Sequence, residues 1–416
     1  MPASDPGPVT VGAHLDEVLA GIEQLRPYSH TLLEATGLPL AGDIVAPRSL
    51  PVFDNSAMDG YAVRAADVAA ATAQAPVELP VTDEILAGDP RPHSLQPGTA
   101  MRIMTGAPIP FGADAVVPVE ATDGGARRVR ITAGADVGAH VRTVGDDVAA
   151  GDVILRAGDV LGPRQLGLLA GVGIGTVEVA PRPRVVVMST GAELVEPDRP
   201  LPAGSIYDSN SYLLTAAVRA TGAVAYRVRA TSDDPRQFLE ALEDQLVRAD
   251  VVITTGGVSK GTRDVVKAAL RSEPRMRFRE VAMQPGKPQG FGKVGDNNAG
   301  GTPLFALPGN PVSSYVSFEV FVAPALRKLV GREPYCRPLF RARLAEPVRS
   351  IPGRRQFLRG RFAAGPSGPE VTPVGGHGSH LLGGLGAANA LIVLAEDLEG
   401  LDAGADVPVM LLDREY

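Results

Sequence analysis

The chain has 416 residues, 44% of them hydrophobic, and carries 40 basic and 47 acidic side chains for a net charge of −7. That length exceeds one ordinary domain, and the mixed charges leave no basic block to mark a nucleic-acid partner. One cysteine (Cys336) and six histidines exclude a disulfide framework, a multi-cysteine zinc site and a His-rich metal site. Residues 1–10 lack the apolar segment of a signal peptide, and no run approaches the roughly 18 apolar residues of a membrane span, so a cytoplasmic protein with no membrane partner is expected.

The first predicted element is a helix, from Val11, Leu15, Val18, Leu19, Ile22 and Leu25 at helical spacing, with Pro27 ending the run. From 51 to 139, short β-branched runs (77–81, 115–119, 127–132) alternate with Gly/Pro turns, which predicts a small β-rich domain. Residues 140–183 hold short strands and a mixed stretch that lead back to the N-terminal helix region. At Arg184 the pattern changes. Residues 185–188 form an unbroken apolar run, suited to a strand buried on both faces. Helices follow at 211–221, 235–246, 264–271 and 311–329, with strands near 223–229, 250–255, 277–283 and 304–307. This alternation predicts a parallel sheet with helices on both faces over 184–331. From 332 to 416 short strands and turns return, giving a second β domain.

Two features carry chemistry. The run Phe53-Asp54-Asn55-Ser56-Ala57-Met58-Asp59-Gly60-Tyr61-Ala62 places two carboxylates, an amide and a hydroxyl within six residues. Such a loop either caps its own backbone as an Asx turn or holds a cation, a proton or a hydroxylated ligand. Four strand ends of the α/β region carry Gly-containing polar loops: 189–194, 255–264, 284–288 and 307–314. In a doubly wound sheet ligands bind at those ends. Glycine lets bare N–H groups approach an anion, and helix N-termini, Lys260 and Lys287 add positive charge. Glu193 and Asp264 beside them would repel an anion unless a cation bridges, so a phosphate or pyrophosphate ligand with Mg²⁺ is expected. Gly171-x-Gly173-x-Gly175 lacks dinucleotide-loop spacing and reads as a turn.

FDNSAMDGYAV, RIMTGAPIPFGADAVV, STGAEL, IYDSN, TTGGVSKGTRD, PGKP, LPGNPVSS and GHGSH occur in that order. Together they resemble the MoeA family of molybdopterin molybdenumtransferases, which includes the E domain of gephyrin, from about residue 12 to 413. The resemblance implies a multidomain α/β plus β architecture. It comprises an elongated linker domain (1–50 and 140–183), an inserted β domain (51–139), a MogA-like three-layer α/β domain (184–331) and a C-terminal β-barrel (332–416). It also implies a homodimer with the active site between subunits, and adenylylated molybdopterin, molybdate and Mg²⁺ as reactants. Molybdenum enters the dithiolene and AMP leaves. A MogA-like adenylyltransferase and molybdoenzyme acceptors are the implied partners.

Residue by residue, the resemblance makes Asp59, Asp147, Glu193, Asp233 and Asp264 catalytic, with Glu193 and Asp264 on the metal. Thr105, Asp208, Asn210, Gly256, Gly257, Ser259, Lys260, Gln284, Lys287, Asn310, Ser313, Arg359 and Ser379 are expected to bind substrate. Asp59 and Thr105 are expected to face the partner subunit's cleft, and Asp54 and Asn55 to shape their turn. Relatives commonly carry Lys where this chain has Gln284 and Glu280, which weakens molybdate affinity here unless Lys260 or Arg263 compensates. Two alternatives stand beside this reading: an adenylyltransferase or nucleotide pyrophosphatase on the same α/β domain, and a non-enzymatic gephyrin-like scaffold.

Overall fold

The structure, a computed structural model, describes residues 7–229, 234–258, 264–295, 300–365 and 368–413. Its centre is a six-stranded sheet of β1 (Arg184–Ser189), β2 (Val224–Arg229), β3 (Val251–Thr255), β4 (Arg277–Glu280), β5 (Pro288–Val294) and β6 (Thr302–Leu307), in the order β2-β1-β3-β6-β5-β4. The unbroken apolar run of β1 divides between two cores. Val185 and Val187 face the helices Asn210–Ala220 and Pro311–Ser317, while Val186 and Met188 face the helices Pro235–Leu246 and Val265–Ala269. Three layers result, and the strand interior is hydrophobic throughout because both faces are covered.

The expected all-parallel sheet needs correction. β2, β1, β3 and β6 are parallel, but β5 runs antiparallel to both β6 and β4. Sequence reasoning missed β5 because PQGFGKV, with glycines at 290 and 292, reads as a turn. Those glycines are packing requirements. A Cβ on Gly290 would lie 2.9 Å from Ala306 Cβ, and one on Gly292 would lie 2.2 Å from the Arg275 carbonyl oxygen. The long 311–329 helix is present but carries a π-helical segment at Phe318–Val322.

The N-terminal helix, Val11–Ala20, packs against this body. Val11, Val18 and Ile22 are buried in the same core as β1 and the 311–329 helix, and Val9 N–H donates to Glu280 O. The linker region proper is built where Tyr28–Thr31 pairs with Thr176–Val179 and Ile44–Val45 pairs with Val153–Leu155, around its own core of Leu38, Leu40, Leu161 and Leu169. The inserted domain is a five-stranded sheet with a separate core containing Tyr61, Val117 and Ile131.

Beyond the α/β body, Leu339–Leu344, Arg355–Gly365, Gly368–Pro373, Ala390–Leu394 and Asp406–Leu411 close on themselves, since Arg355–Gly365 pairs with both Gly368–Pro373 and Ala390–Leu394. This is a five-stranded barrel. Ile392 and Leu394 fill it, while Leu391 and Val393 pack on the α/β body, as the strand period of two requires.

Candidate functional site

At the carboxyl ends of β1, β3, β4 and β6 the chain leaves a cleft of about 980 Å³. All four loops singled out from the sequence meet there: Ser189 to Leu194, Thr255 to Val258 with Asp264, Gln284 to Pro288, and Pro308 to Ser313. Although β5 is antiparallel, β4 keeps the common direction, so its end reaches the same edge. The barrel supplies a further wall through Ser379, His380 and Leu382. Asn310 Nδ2 donates to Ser379 Oγ at 2.8 Å, and Val312 N–H donates to Ser379 O at 3.1 Å, which fastens the barrel loop to the helix N-terminus.

The loops take their shape from specific groups. Gly256 and Gly257 have φ of +94° and +67°, and a Cβ on Gly256 would lie 2.9 Å from the Thr190 carbonyl oxygen. Only glycine combines that backbone with that approach. Asp208 lines the cleft but is 3% exposed. It accepts from Ser189 Oγ and Ser211 Oγ, both at 2.6 Å, and from Ser211 N–H, so it positions the helix start. Asn210 Nδ2 donates to Thr255 Oγ1 and to Gly309 O, joining the ends of β3 and β6. Ser313 is buried at the cleft wall.

Asp264 differs from these. It occupies the N-cap position of the helix Val265–Ala269 but makes no side-chain cap, whereas Asp234 at the equivalent position of its helix accepts from Arg236 N–H. Among the described residues, Asp264 Oδ2 is buried with no hydrogen-bond partner. A buried carboxylate oxygen left open beside a cleft suits a cation. Asp208 is already engaged, which leaves Glu193 as the second carboxylate of the wall, folded over Gly191. No group of three or more His, Cys, Asp or Glu side chains is placed to hold a metal among the described residues. Two carboxylates fit Mg²⁺, which keeps waters and takes phosphate oxygens as its other ligands.

Gln284 Oε1 accepts from Arg354 Nη1 at 3.3 Å, and Lys287 Nζ pairs with Glu280 Oε2 at 2.8 Å. Arg359 is 4% exposed and donates to the carbonyl oxygens of Val374, Gly376, Gly378 and Leu381. Its guanidinium therefore organises the loop that carries Ser379, and it does not line the main cleft. Asp233, Ser259 and Lys260 lie outside the described residues, as does Arg263. Thr190 and Tyr207 also line the cleft; both lie in stretches read from the sequence, 189–194 and IYDSN, but neither carries an expected binding role.

Asp59, Thr105 and Asp147 lie away from this cleft. Strands Gly60–Val63 and Ala100–Ile103 are antiparallel neighbours with Gly60 opposite Ile103, which brings Asp59 beside Thr105. Asp59 Oδ1 accepts from Thr105 N–H at 2.6 Å and from Thr105 Oγ1 at 2.8 Å, and these two bonds, the backbone one foremost, hold its carboxyl below the usual range. Gly60 is required because a Cβ there would lie 2.1 Å from Val117 O. Asn55 Nδ2 donates to Phe53 O and shapes the turn as expected, whereas Asp54 Oδ1 accepts from Val144 N–H, 90 residues away in sequence, and not from its own turn. The Asp54 bond also ties this loop to the acidic turn of Asp146 and Asp147. Asp146 folds back onto Thr143, while Asp147 is exposed.

A second cleft, of about 560 Å³, opens at the opposite ends of the strands around Arg26, Tyr28, His30 and Arg182. None of the candidate catalytic, substrate-binding or metal-binding residues lines it.

A three-layer α/β body whose strand-end cleft is walled by a small barrel, preceded by a linker and an inserted β domain, defines a multidomain α/β protein with a ligand cleft at its strand ends. Family models agree over most of the length. They are described as MoeA N-terminal region (domain I and II), matching residues 9–173, probable molybdopterin binding domain, matching 186–328, and MoeA C-terminal region (domain IV), matching 341–412. The chain is 48% identical over 408 residues to molybdopterin molybdenumtransferase 2 of Mycobacterium tuberculosis, covering 96% of this chain and 98% of that protein. It is 37% identical to the Haemophilus influenzae molybdopterin molybdenumtransferase, covering 91% and 92%. A crystal structure of a molybdopterin biosynthesis MoeA protein from Pyrococcus horikoshii OT3 superposes with a TM-score of 0.79 at 30% identity, covering 97% of this chain and 100% of that one. The chain belongs to the MoeA family.

Proposed function

We propose that this protein is a molybdopterin molybdenumtransferase that takes adenylylated molybdopterin and molybdate, inserts molybdenum into the dithiolene and releases AMP. The observation that carries this reading is the convergence of four strand-end loops and the barrel's Ser379 loop on one cleft of about 980 Å³, with the open carboxylate of Asp264 in its wall. That volume is of the size that encloses a pterin joined to a nucleotide. In this reading Gly256, Gly257 and Asn310 offer polar backbone and side-chain groups to phosphate, and Gln284, Lys287, Ser313 and Ser379 receive the molybdate oxygens; their support is that all of them line the cleft. Arg359 acts by holding the Ser379 loop.

Mg²⁺ would be held by Asp264 and Glu193, and when bound it supplies charge neutralisation and polarisation of a phosphate oxygen. The enzyme's own residues align the anhydride with the oxyanion, so that water adds at phosphorus, the P–O–P bond breaks to give molybdopterin phosphate and AMP, and the dithiolene of the same pterin meets molybdate.

The protein acts as a homodimer in which Asp59, Thr105 and Asp147 of one subunit face the cleft of the other. It works in the cytoplasm, between an adenylyltransferase that makes its substrate and apo-molybdoenzymes that accept its product. No described helix is long and apolar enough to cross a membrane.

The test is turnover of adenylylated molybdopterin with molybdate and Mg²⁺, read as AMP release and molybdenum incorporation. Asp59→Asn and Asp264→Asn should each be inactive alone. Unfolding and reassembling the two together should restore about a quarter of wild-type activity, because half the dimers then carry one intact shared site. Failure of wild type to turn over refutes the activity, and failure of the mixture to recover refutes the shared site.

A further inference from the structure

The wall of the cleft formed by the turn between β4 and β5 carries a charge arrangement that bears on how tightly the site holds an anion. β4 ends at Glu280 and β5 begins at Pro288, and these two residues are paired across the strands. Val281 N–H donates to Lys287 O at 2.7 Å, which closes the neck of the turn. Lys287 is thereby held beside Glu280, and their side chains meet at 2.8 Å. The backbone imposes this pair. Both partners keep about a third of their side-chain surface open, 32% and 35%, so an incoming anion can reach the ammonium.

Lys287 lines the cleft, and three residues earlier Gln284 presents an amide whose oxygen is engaged by Arg354. Glu193 and Asp264 add two further carboxylates to the same cleft. Among the described residues that line it, Lys287 is the sole Lys or Arg.

We propose that Glu280 is an affinity-setting residue for this site. It competes with the incoming oxyanion for Lys287, so that a tetrahedral dianion must displace or share an existing ion pair in order to bind. Lys287 is then held in a fixed position while the site is empty, and its charge is attenuated toward free anions such as sulfate. The bound oxyanion stays exchangeable, which a site that must pass its metal to a second ligand requires. The assignment of the anion as molybdate rests on the proposed function; the competition itself rests on the ion pair.

The experiment is equilibrium binding of molybdate, and separately of sulfate, to the full-length wild type, Glu280→Gln, Lys287→Met and the double variant at low ionic strength. The substitution of a partly exposed carboxylate by its isosteric amide leaves the fold unstrained. Glu280→Gln is expected to bind molybdate about three- to tenfold more tightly, because an opposing charge in contact with the cation is removed in a partly solvated setting. The gain should shrink in high salt and vanish when Lys287 is also replaced. Unchanged or weaker binding by Glu280→Gln, or a gain that persists without Lys287, overturns the proposal. Tighter binding of sulfate with no binding of molybdate by any of the four proteins supports the role of Glu280 while refuting the molybdate reading of the cleft.

Discussion

Replacing Asp264 by Asn separates what this carboxylate does for the fold from what it does for the ligand. Oδ2 is buried without a partner among the described residues, and the side chain makes no cap to its own helix. An unsatisfied buried polar oxygen costs roughly 1–3 kcal/mol, more for a charged group, whereas a carboxylate at a helix N-terminus gains about 0.3–1 kcal/mol from the helix dipole. Asparagine keeps a polar atom at the same buried position, so Asp264→Asn should change the stability of the metal-free protein by less than about 1 kcal/mol. Binding of the proposed Mg²⁺ is where the two proteins should differ. At 100 times its dissociation constant Mg²⁺ stabilises the native state by about 2.7 kcal/mol, a rise of roughly 5–10 °C in the melting temperature of a unit this size, and the variant should show almost none of it. Thermal melts with and without Mg²⁺ measure both quantities without any turnover, and activity should fall at least about 100-fold. A wild type that does not respond to Mg²⁺, or a variant that keeps the response, would refute the reasoning.

Further outcomes are expected elsewhere in the molecule. His14 is buried against Phe321, its Nδ1 has no partner among the described residues, and burial lowers its pKa from 6.5 to about 4. The unfolded chain therefore takes up a proton near pH 6.5 that the native state refuses until about pH 4, so stability falls as pH drops through that window, by about 2–3 kcal/mol in all. Chemical denaturation of His14→Leu across pH 7 to 4 should lack that component; an unchanged pH dependence would count against a neutral buried imidazole. Arg359→Met removes a donor from four carbonyl oxygens, of which Gly378 O and Leu381 O keep a backbone N–H, and should cost roughly 3 kcal/mol, with hydrogen exchange accelerated in residues 374–381 before the rest of the barrel. Thr105→Val removes one of two donors to Asp59, so the Asp59 carboxyl, followed by carbon NMR, should titrate higher than in wild type but still below its ordinary range, because the backbone bond remains.

Much of this protein was legible without its coordinates, wherever the determining physics is local. The run at 185–188 announced a doubly buried strand because each of its side chains must meet an apolar layer, and they do. Glycines and prolines after four strands announced a ligand edge, because a sheet with a common strand direction gathers its strand ends on one side. The turn-shaping role of Asn55 follows from a side chain that bonds to backbone two residues away.

What the tertiary structure alone decided depends on contacts between residues distant in sequence. β5 was hidden because its glycines are dictated by Ala306, Phe278 and the Arg275 backbone, none of which is adjacent to it in the chain. The helix at Val11–Ala20 gives an amphipathic pattern that says it must pack but not on what, and the partner is the α/β core. Asp208 and Asp264 look alike in sequence, each an aspartate just before a helix. Three-dimensional packing gives the first a pair of serine hydroxyls and the second an open oxygen in a cleft wall. Residue type sets what a side chain can bond; only the fold decides whether that capacity is already occupied.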